Sequence, residues 1–209
     1  WKGIYVLNAD KKSHLKNVNI SNLSALEDEL LKLTGGITFY KSDVDFENDK
    51  IDDVKAEDAL NIVESKFSLS SVYINNTVSD GLDSDFSKGN VSNSQFSNIG
   101  GDALDFSGSN ISIETTETNN IKDKAVSAGE KSTLTIKNST FNNISVGVAS
   151  KDGSSVIVSD TKILNYELYA AMSYLKKDFY DMPSIILNDC LVSDGIAYIR
   201  QKGTSMTVD

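Results

Sequence analysis

The sequence predicts an all-β protein, a single-stranded right-handed parallel β-helix with about 22 residues per coil and three short strands in each coil. A short motif recurs at a constant interval, since Gly81, Ala103, Ala125 and Gly147 follow one another in steps of 22 residues. Between the motifs, apolar residues alternate with Ser, Thr, Asn or Lys, which is the period of a half-buried strand. Turn-forming pairs such as Asn-Asn and Ser-Gly separate these segments. One such coil cannot bury its apolar side alone, but stacked coils can.

Each repeat supplies three strands in a fixed order. In the repeat that begins at Asp80, the motif over residues 80–83 forms the first strand, and the segment around Val91 forms the second. The third strand contains Phe96 and Ile99 and leads into the next motif. Right-handed winding is expected because parallel β connections adopt that hand. The single proline, Pro183, agrees with this arrangement, because inner strands must donate their N–H groups to the next coil.

Two segments depart from the repeat within an otherwise single domain over residues 1–209. Residues 25–34 place leucines at helical spacing beside acidic residues, which predicts a short amphipathic helix or an outward loop. Residues 172–184 form a longer, aromatic-bearing loop inserted into one coil. The last strand ends in the middle of a coil, so we expect this chain to be a segment of a larger parent chain.

Composition excludes several classes of function. The net charge of −10 disfavours nucleic acid and anionic membrane surfaces as partners. No apolar run approaches the ~18 residues of a spanning helix, so membrane insertion is not expected. The one cysteine, Cys190, rules out an internal disulfide, and its place in the repeat, where other coils have Phe or Ile, predicts a buried core thiol.

Residues 98–109 (NIGGDALDFSGS) and 122–132 (KDKAVSAGEKS) resemble right-handed parallel β-helix repeat proteins of the pectate-lyase-like superfamily. That group includes repeat domains described as carbohydrate-binding and sugar-hydrolysing, and the resemblance extends over residues 37–200. It implies a protein at the cell surface or outside the cell, and a polysaccharide as partner. The chain lacks the Asn-Thr-Asp, Gly-Asp-Asp and Gly-His-Gly signatures of polygalacturonases and the Asp-Pro-His stretch of epimerases.

Acidic residues recur at two positions of the repeat and are expected to stack in columns about 4.8 Å apart along the axis. One position is occupied by Asn61, Asp83, Asp105 and Ser127, and the other by Asp58, Asp80, Asp102 and Lys124. Asp and Asn are ordinary turn residues, so a purely structural role is one interpretation. A calcium site is another, because hard cations bind several carboxylate oxygens. Its ligands would be Asp80, Asp83, Asp85, Asp102 and Asp105.

A third interpretation of the acidic columns is catalytic and follows from the resemblance. Related hydrolases place aspartates on adjacent coils as general acid and base, and lyases and epimerases use a basic side chain to take a proton. The corresponding candidates here are Asp102, Asp105 and Lys124, with Lys124 as the base.

Aromatic side chains concentrate in the last third of the chain. Tyr174, Phe179 and Tyr180 lie in the inserted loop and are candidates for stacking on sugar rings, although they could equally cover the core. Together these features favour a secreted or surface module that binds carbohydrate, or serves as an adhesive scaffold, without complete catalytic machinery. The alternative is a calcium-assisted polysaccharide lyase, C5-epimerase or glycoside hydrolase that acts on an acidic polysaccharide.

Overall fold

A computed structural model describes residues 2–28, 31–193 and 195–209. Parallel strands stack as a solenoid with three strands per turn, and 22 or 23 residues separate most paired positions. The predicted parallel β-helix is therefore confirmed. In chain order the strands are β1 (Ile4–Leu7), β2 (Ser13–Lys16), β3 (Asn19–Leu23), β4 (Glu27–Asp28), β5 (Leu31–Lys32), β6 (Gly35–Tyr40), β7 (Val44–Glu47), β8 (Lys50–Val54), β9 (Asp58–Val63), β10 (Lys66–Ser70), β11 (Tyr73–Thr77), β12 (Asp80–Asp85), β13 (Lys88–Ser92), β14 (Gln95–Ile99), β15 (Leu104–Ser107), β16 (Asn110–Glu114), β17 (Glu117–Gly129), β18 (Thr133–Lys137), β19 (Thr140–Lys151), β20 (Ser155–Ser159), β21 (Lys162–Tyr174), β22 (Ser184–Asn188), β23 (Leu191–Val192), β24 (Tyr198–Arg200) and β25 (Ser205–Val208).

The strands form three faces. The motif face contains β1, β6, β9, β12, β15, the second halves of β17, β19 and β21, and β24. The second face runs from β2 through β7, β10, β13, β16, β18, β20 and β22 to β25. The third face contains β3, β8, β11, β14, the first halves of β17, β19 and β21, and β23. The long strands β17, β19 and β21 continue around the corner between the third face and the motif face.

The repeat motif forms a single file on the motif face. Leu82 pairs with Leu104, which pairs with Val126, so the residues that precede them also lie above one another. This inner position must be small, because a Cβ added at Gly147 would lie 2.3 Å from the carbonyl oxygen of Ala170 in the next coil. Apolar side chains from all three faces fill the interior. The largest fully buried ones include Phe39, Phe46, Phe96, Phe106 and Phe141.

Serine side chains join neighbouring coils at the corner between the motif face and the second face. The hydroxyl of each serine after the first accepts a hydrogen bond from the backbone N–H of the serine one coil earlier, at 2.8 to 3.1 Å. This serine ladder consists of Ser42, Ser65, Ser87, Ser109, Ser132 and Ser154. It satisfies buried backbone donors that the turning chain cannot pair with a carbonyl. The ladder accounts for part of the serine content of the chain.

Asparagine has a comparable role at the corner between the third face and the motif face. Asn98 and Asn120 adopt positive φ angles of 56° and 58° there, a conformation that asparagine tolerates better than most residues. Their side-chain amides also stack, because the Nδ2 of Asn120 donates to the Oδ1 of Asn98 at 2.7 Å.

The insertion at residues 25–34 contains an antiparallel pair, β4 with β5, and its described residues contain no helix. The helical alternative is therefore wrong for those residues, and the outward loop agrees with them; residues 29 and 30 lie outside the described part of the chain. The aromatic loop is shorter than expected, because β21 continues to Tyr174 and the loop covers residues 175–183.

The prediction for Cys190 is wrong. Its thiol is only half-buried and lies 3.4 Å from the carbonyl oxygen of Asn188. Thr161 makes the same local contact one coil earlier, to the carbonyl of Ser159 at 2.9 Å. Cys190 therefore replaces a hydroxyl residue at a corner rather than an apolar core residue. Within the described ranges, no helix is long and apolar enough to cross a membrane.

Candidate functional site

Outward-facing residues of the motif face form three columns along the solenoid axis. The first column contains Asp58, Asp80, Asp102 and Lys124. The second column contains Thr38, Asn61, Asp83, Asp105 and Ser127. The third column contains Val63, Asp85, Ser107, Gly129, Lys151 and Tyr174. The predicted stacking of the acidic residues is therefore present, with neighbouring members about 4.8 Å apart.

Carboxylates of the first column accept hydrogen bonds from the backbone. Oδ1 of Asp80 accepts the N–H of Asp102 at 2.8 Å, and Oδ1 of Asp102 accepts the N–H of Lys124 at 2.9 Å. Each of these carboxylates thus accepts a hydrogen bond from a backbone N–H group of the next coil. This supports the structural interpretation for Asp80 and Asp102, and it leaves Asp102 poorly placed for the predicted catalytic role.

Lys124 is the last residue of the first column, and its side chain is positively charged. Its side chain is 13% exposed, and its Nζ lies 3.2 Å from Oδ1 of Asp102 and 2.6 Å from Oδ2 of Asp123. Burial acts to lower the pKa of Lys124, but the charge of Asp102 and the contacts with Asp123 outweigh it, so the pKa is raised. An ammonium group cannot accept a proton, and this environment therefore argues against Lys124 as the general base.

Asp83 is the most perturbed carboxyl group of the second column. Burial, followed by the charges of Asp85, Asp58 and Asp105, raises the pKa of Asp83 to about 9. Oδ2 of Asp83 accepts a hydrogen bond from Nδ2 of Asn61 at 3.0 Å. At neutral pH the Asp83 carboxyl group is therefore protonated and able to donate a proton.

Burial also raises the pKa of the first-column acids. The pKa of Asp58 and that of Asp80 rise to about 6, and the pKa of Asp102 rises to about 7. At neutral pH this group of acids therefore carries fewer negative charges than it has carboxyl groups. Perturbed pKa values of this kind are common at functional sites.

Asp105 lies one coil beyond Asp83 and has an ammonium partner. The Nζ of Lys151 lies 3.9 Å from its Oδ1, and the lysine side chain reaches back across two coils. It passes over Gly129, where an added Cβ would lie 3.5 Å from Cε of Lys151. Lys151 was not among the residues singled out from the sequence, although it continues the third column at the 22-residue step.

Buried polar atoms without a hydrogen-bond partner collect on this face. Four of the seven such atoms found among the described residues belong to the first two columns. They are Oγ1 of Thr38, Oδ2 of Asp58, Oδ1 of Asp105 and Oγ of Ser127. An unpaired buried polar atom costs about 1–3 kcal/mol, so these atoms lower the stability of the motif face, although Oδ1 of Asp105 has the ammonium of Lys151 at 3.9 Å.

The arrangement does not favour the calcium interpretation. Within the ranges that the structure describes, no three His, Cys, Asp or Glu side chains are grouped so that they could hold a metal ion. Two of the five predicted ligands, Asp80 and Asp102, instead direct an oxygen to a backbone N–H. As arranged here, the predicted set does not fit a calcium ion.

The aromatic loop borders the same face. Tyr174 lies in the third column beside Lys151, and Asp152 anchors the loop by accepting the N–H groups of Lys176 and Lys177 at 2.7 and 2.8 Å. Lys177 also forms an ion pair with Glu130.

Two of the predicted aromatic residues lie at the tip of this loop. Phe179 is 76% exposed, and its ring lies 4.7 Å from the ring of Tyr180. The structure therefore places Tyr174 on the motif face itself, and Phe179 and Tyr180 on the loop that leaves it.

The fold and this site together define an acid-rich parallel β-helix with a largely buried polar face. The family model described as pectate lyase matches residues 9–172, more than half of the chain. The chain therefore belongs to the pectate lyase family.

One solved structure shows the same fold at low sequence identity, and others are similar to the chain. The periplasmic alginate epimerase AlgG is 8% identical with a TM-score of 0.50, and the match covers all of this chain and 75% of the epimerase. The catalytic domain of a GH87 α-1,3-glucanase is 11% identical with a TM-score of 0.36, covering 99% of this chain and 55% of that domain. No curated protein sequence matches the chain.

Proposed function

We propose that this chain is a polysaccharide-acting enzyme whose active surface is the acidic part of the motif face. The observation that carries the proposal is the pairing of Asp83, which burial keeps protonated, with Asp105 on the next coil. Enzymes that cleave glycosidic bonds use two carboxyl groups whose surroundings separate their protonation states. Membership of the pectate lyase family supports an enzyme over the non-catalytic module that the sequence favoured.

In this proposal Asp83 is the general acid and Asp105 is the nucleophile. Asp83 and Asp105 are direct partners on adjacent strands about 4.8 Å apart, and retaining glycosidases use two carboxyl groups that lie close together. Asp83 gives its proton to the glycosidic oxygen while the Asp105 carboxylate bonds to the anomeric carbon and the carbon–oxygen bond breaks. The Asp83 carboxylate then takes a proton from the water that cleaves the glycosyl ester, which restores both groups. Lys151 holds Asp105 in position from 3.9 Å.

The aromatic loop supplies a binding surface for the same substrate. Tyr174 lies three coils beyond Ser107 in the third column, which is about 14 Å along the axis from the coil of Asp105 and about 19 Å from the coil of Asp83. Exposed rings such as Phe179 and Tyr180 suit the apolar faces of sugars. A neutral glycan fits this surface better than a polyuronate, because the face and the whole chain are acidic. Such substrates favour a location outside the cell or at its surface, and the periplasmic location of the similar epimerase supports this part of the proposal.

A second candidate is β-elimination or C5-epimerisation of a uronate polymer. Two ammonium groups, those of Lys124 and Lys151, lie on the acidic face with little exposure to solvent. They could neutralise a substrate carboxylate, which makes the proton at C5 easier to remove. Membership of the pectate lyase family and the similarity to the alginate epimerase AlgG support this candidate.

One assay separates these functions. The chain is incubated with soluble α-glucan, β-glucan, polygalacturonate and alginate, while reducing ends and the ultraviolet absorbance of unsaturated uronate are followed. New reducing ends without ultraviolet absorbance support hydrolysis. Asp83→Asn and Asp105→Asn should abolish their formation, whereas the exposed control Asp160→Asn should leave it unchanged. Absorbance from a uronate polymer overturns the acid assignment of Asp83 and supports elimination. Binding to a polysaccharide without either product, and without a change in its uronate composition by NMR, restores the non-catalytic module.

A further inference from the structure

Phe86 is an exposed aromatic residue at the edge of the acidic face. It follows directly after Asp85 of the third column and directly before Ser87 of the serine ladder. Its side chain is 61% exposed. In other coils this corner position is occupied by Lys41, Glu64 or Gly108, so the repeat does not require an aromatic residue there.

The backbone at Phe86 has the same positive φ that this corner has at Lys41 and Glu64. Its φ is +51°, which is costly for a bulky side chain and suits glycine or asparagine. The ring contributes little to the core, because it projects over Gly108 of the next coil. A Cβ added at Gly108 would lie 2.5 Å from the ring, so only a glycine leaves the ring where it is. Because the conformation is common to this corner, the exposed ring is what distinguishes Phe86, and a ring that gains little burial points to a function for the side chain.

A cleft adjoins Phe86 on the side away from the acidic columns. It has a volume of about 290 Å³ and is lined by Phe86 together with Asp43, Glu64, Lys66 and Lys88. The cleft therefore offers one aromatic wall and several charged groups that can bond to hydroxyls. Because Phe86 lies between this cleft and Asp85, the two form one continuous surface around the corner of the solenoid.

We propose that Phe86 and this cleft form a sugar-binding subsite that continues the acidic face across the corner. One pyranose ring of the glycan packs its C–H face on the exposed side of the Phe86 ring, and its hydroxyls bond to Lys66, Lys88 and Glu64. The polysaccharide then crosses from the cleft to Asp83 and Asp105, so Phe86 positions the chain for cleavage. This inference rests on the proposed function, because it assumes that a glycan occupies the motif face.

The test is affinity electrophoresis in native gels that contain soluble α-glucan, β-glucan, polygalacturonate or alginate. Phe86→Asn should bind about tenfold more weakly than the unchanged chain, whereas Phe86→Tyr should bind equally well. Gly108→Asn tolerates the positive φ but displaces the ring, and it should weaken binding to a similar degree. Val78→Asn is the matched control, because Val78 is 62% exposed and precedes the same motif strand at its other end.

Thermal unfolding supplies a measurement that needs no glycan. Phe86→Asn should be at least as stable as the unchanged chain, since asparagine suits the corner conformation. A fall of several degrees would show that Phe86 stabilises the fold and would overturn the inference.

Equal gel retardation of Phe86→Asn and the unchanged chain would also overturn it while the proposed function stands. No retardation of the unchanged chain by any polysaccharide would instead remove the proposed function, and the subsite with it. If the unchanged chain self-associates and Phe86→Asn does not, the ring contacts a second copy of the chain, and the sugar subsite is refuted.

Discussion

Replacing Asp83 by asparagine measures the cost of burying an ionised carboxyl group among the charges of the acidic columns. The folded chain keeps Asp83 protonated up to a pKa of about 9, whereas the free side chain has a pKa of 3.8. Folding at pH 7 therefore takes up a proton. The stability associated with Asp83 is fully present below about pH 4 and is lost as the pH rises to about 9. At pH 7 the cost is about 4 kcal/mol, from roughly three pH units at 1.36 kcal/mol each.

Asparagine keeps the size of the side chain and cannot ionise. Asp83→Asn should therefore raise the free energy of unfolding at pH 7 by up to about 4 kcal/mol, and the gain should shrink to nothing near pH 4. Urea unfolding at pH 4, 7 and 9 gives the difference directly. Asp160→Asn, which removes an exposed charge, is the control. A lower stability of Asp83→Asn at pH 7, or a gain that does not change with pH, would refute the reasoning.

Four further changes test other parts of the molecule. Lys151→Met removes the ammonium beside Asp105 and should lower turnover about 10- to 100-fold, with partial recovery in Lys151→Arg; equal activity of both variants would exclude a positioning role. Gly147→Ala places a Cβ 2.3 Å from a carbonyl oxygen of the next coil and should lower the free energy of unfolding by about 1–3 kcal/mol in a urea titration. Ser109→Ala leaves the N–H of Ser87 without its acceptor and should cost about 1–3 kcal/mol, whereas Ser109→Thr should retain most of the stability. Calcium and EDTA should leave the midpoint of thermal unfolding unchanged, and a rise with calcium would restore the calcium interpretation.

The repeat could be found from the sequence because stacking imposes the same demand on every coil. Gly81 and Ala103 occupy one file since the neighbouring backbone leaves no room for a larger side chain at that point. The insertion at residues 25–34 obeys no such demand. Its leucine spacing fits a helix as well as a loop, and only pairing within the insertion decides between them.

The acidic site was harder to resolve, because stacking places the residues but not their carboxyl groups. Asp102 and Asp105 recur at the same 22-residue step, yet one accepts the N–H of Lys124 and the other lies near the ammonium of Lys151. The difference depends on the direction of each side chain and on which donor the next coil presents. Cys190 shows the same limit, since a cysteine suits a core position and a hydroxyl position equally well in sequence.

The serine ladder has a consequence for how the length of this molecule can change. Since every ladder serine receives the N–H of its predecessor, coils are equivalent units in the corner bonding. Gain or loss of a whole unit of 22 or 23 residues would leave each hydroxyl opposite an amide, whereas any other number would misalign all later serines. Evolution can therefore lengthen or shorten this solenoid by duplicating or deleting entire windings, and the spacing between the acidic region and the aromatic loop would change in increments of about 4.8 Å.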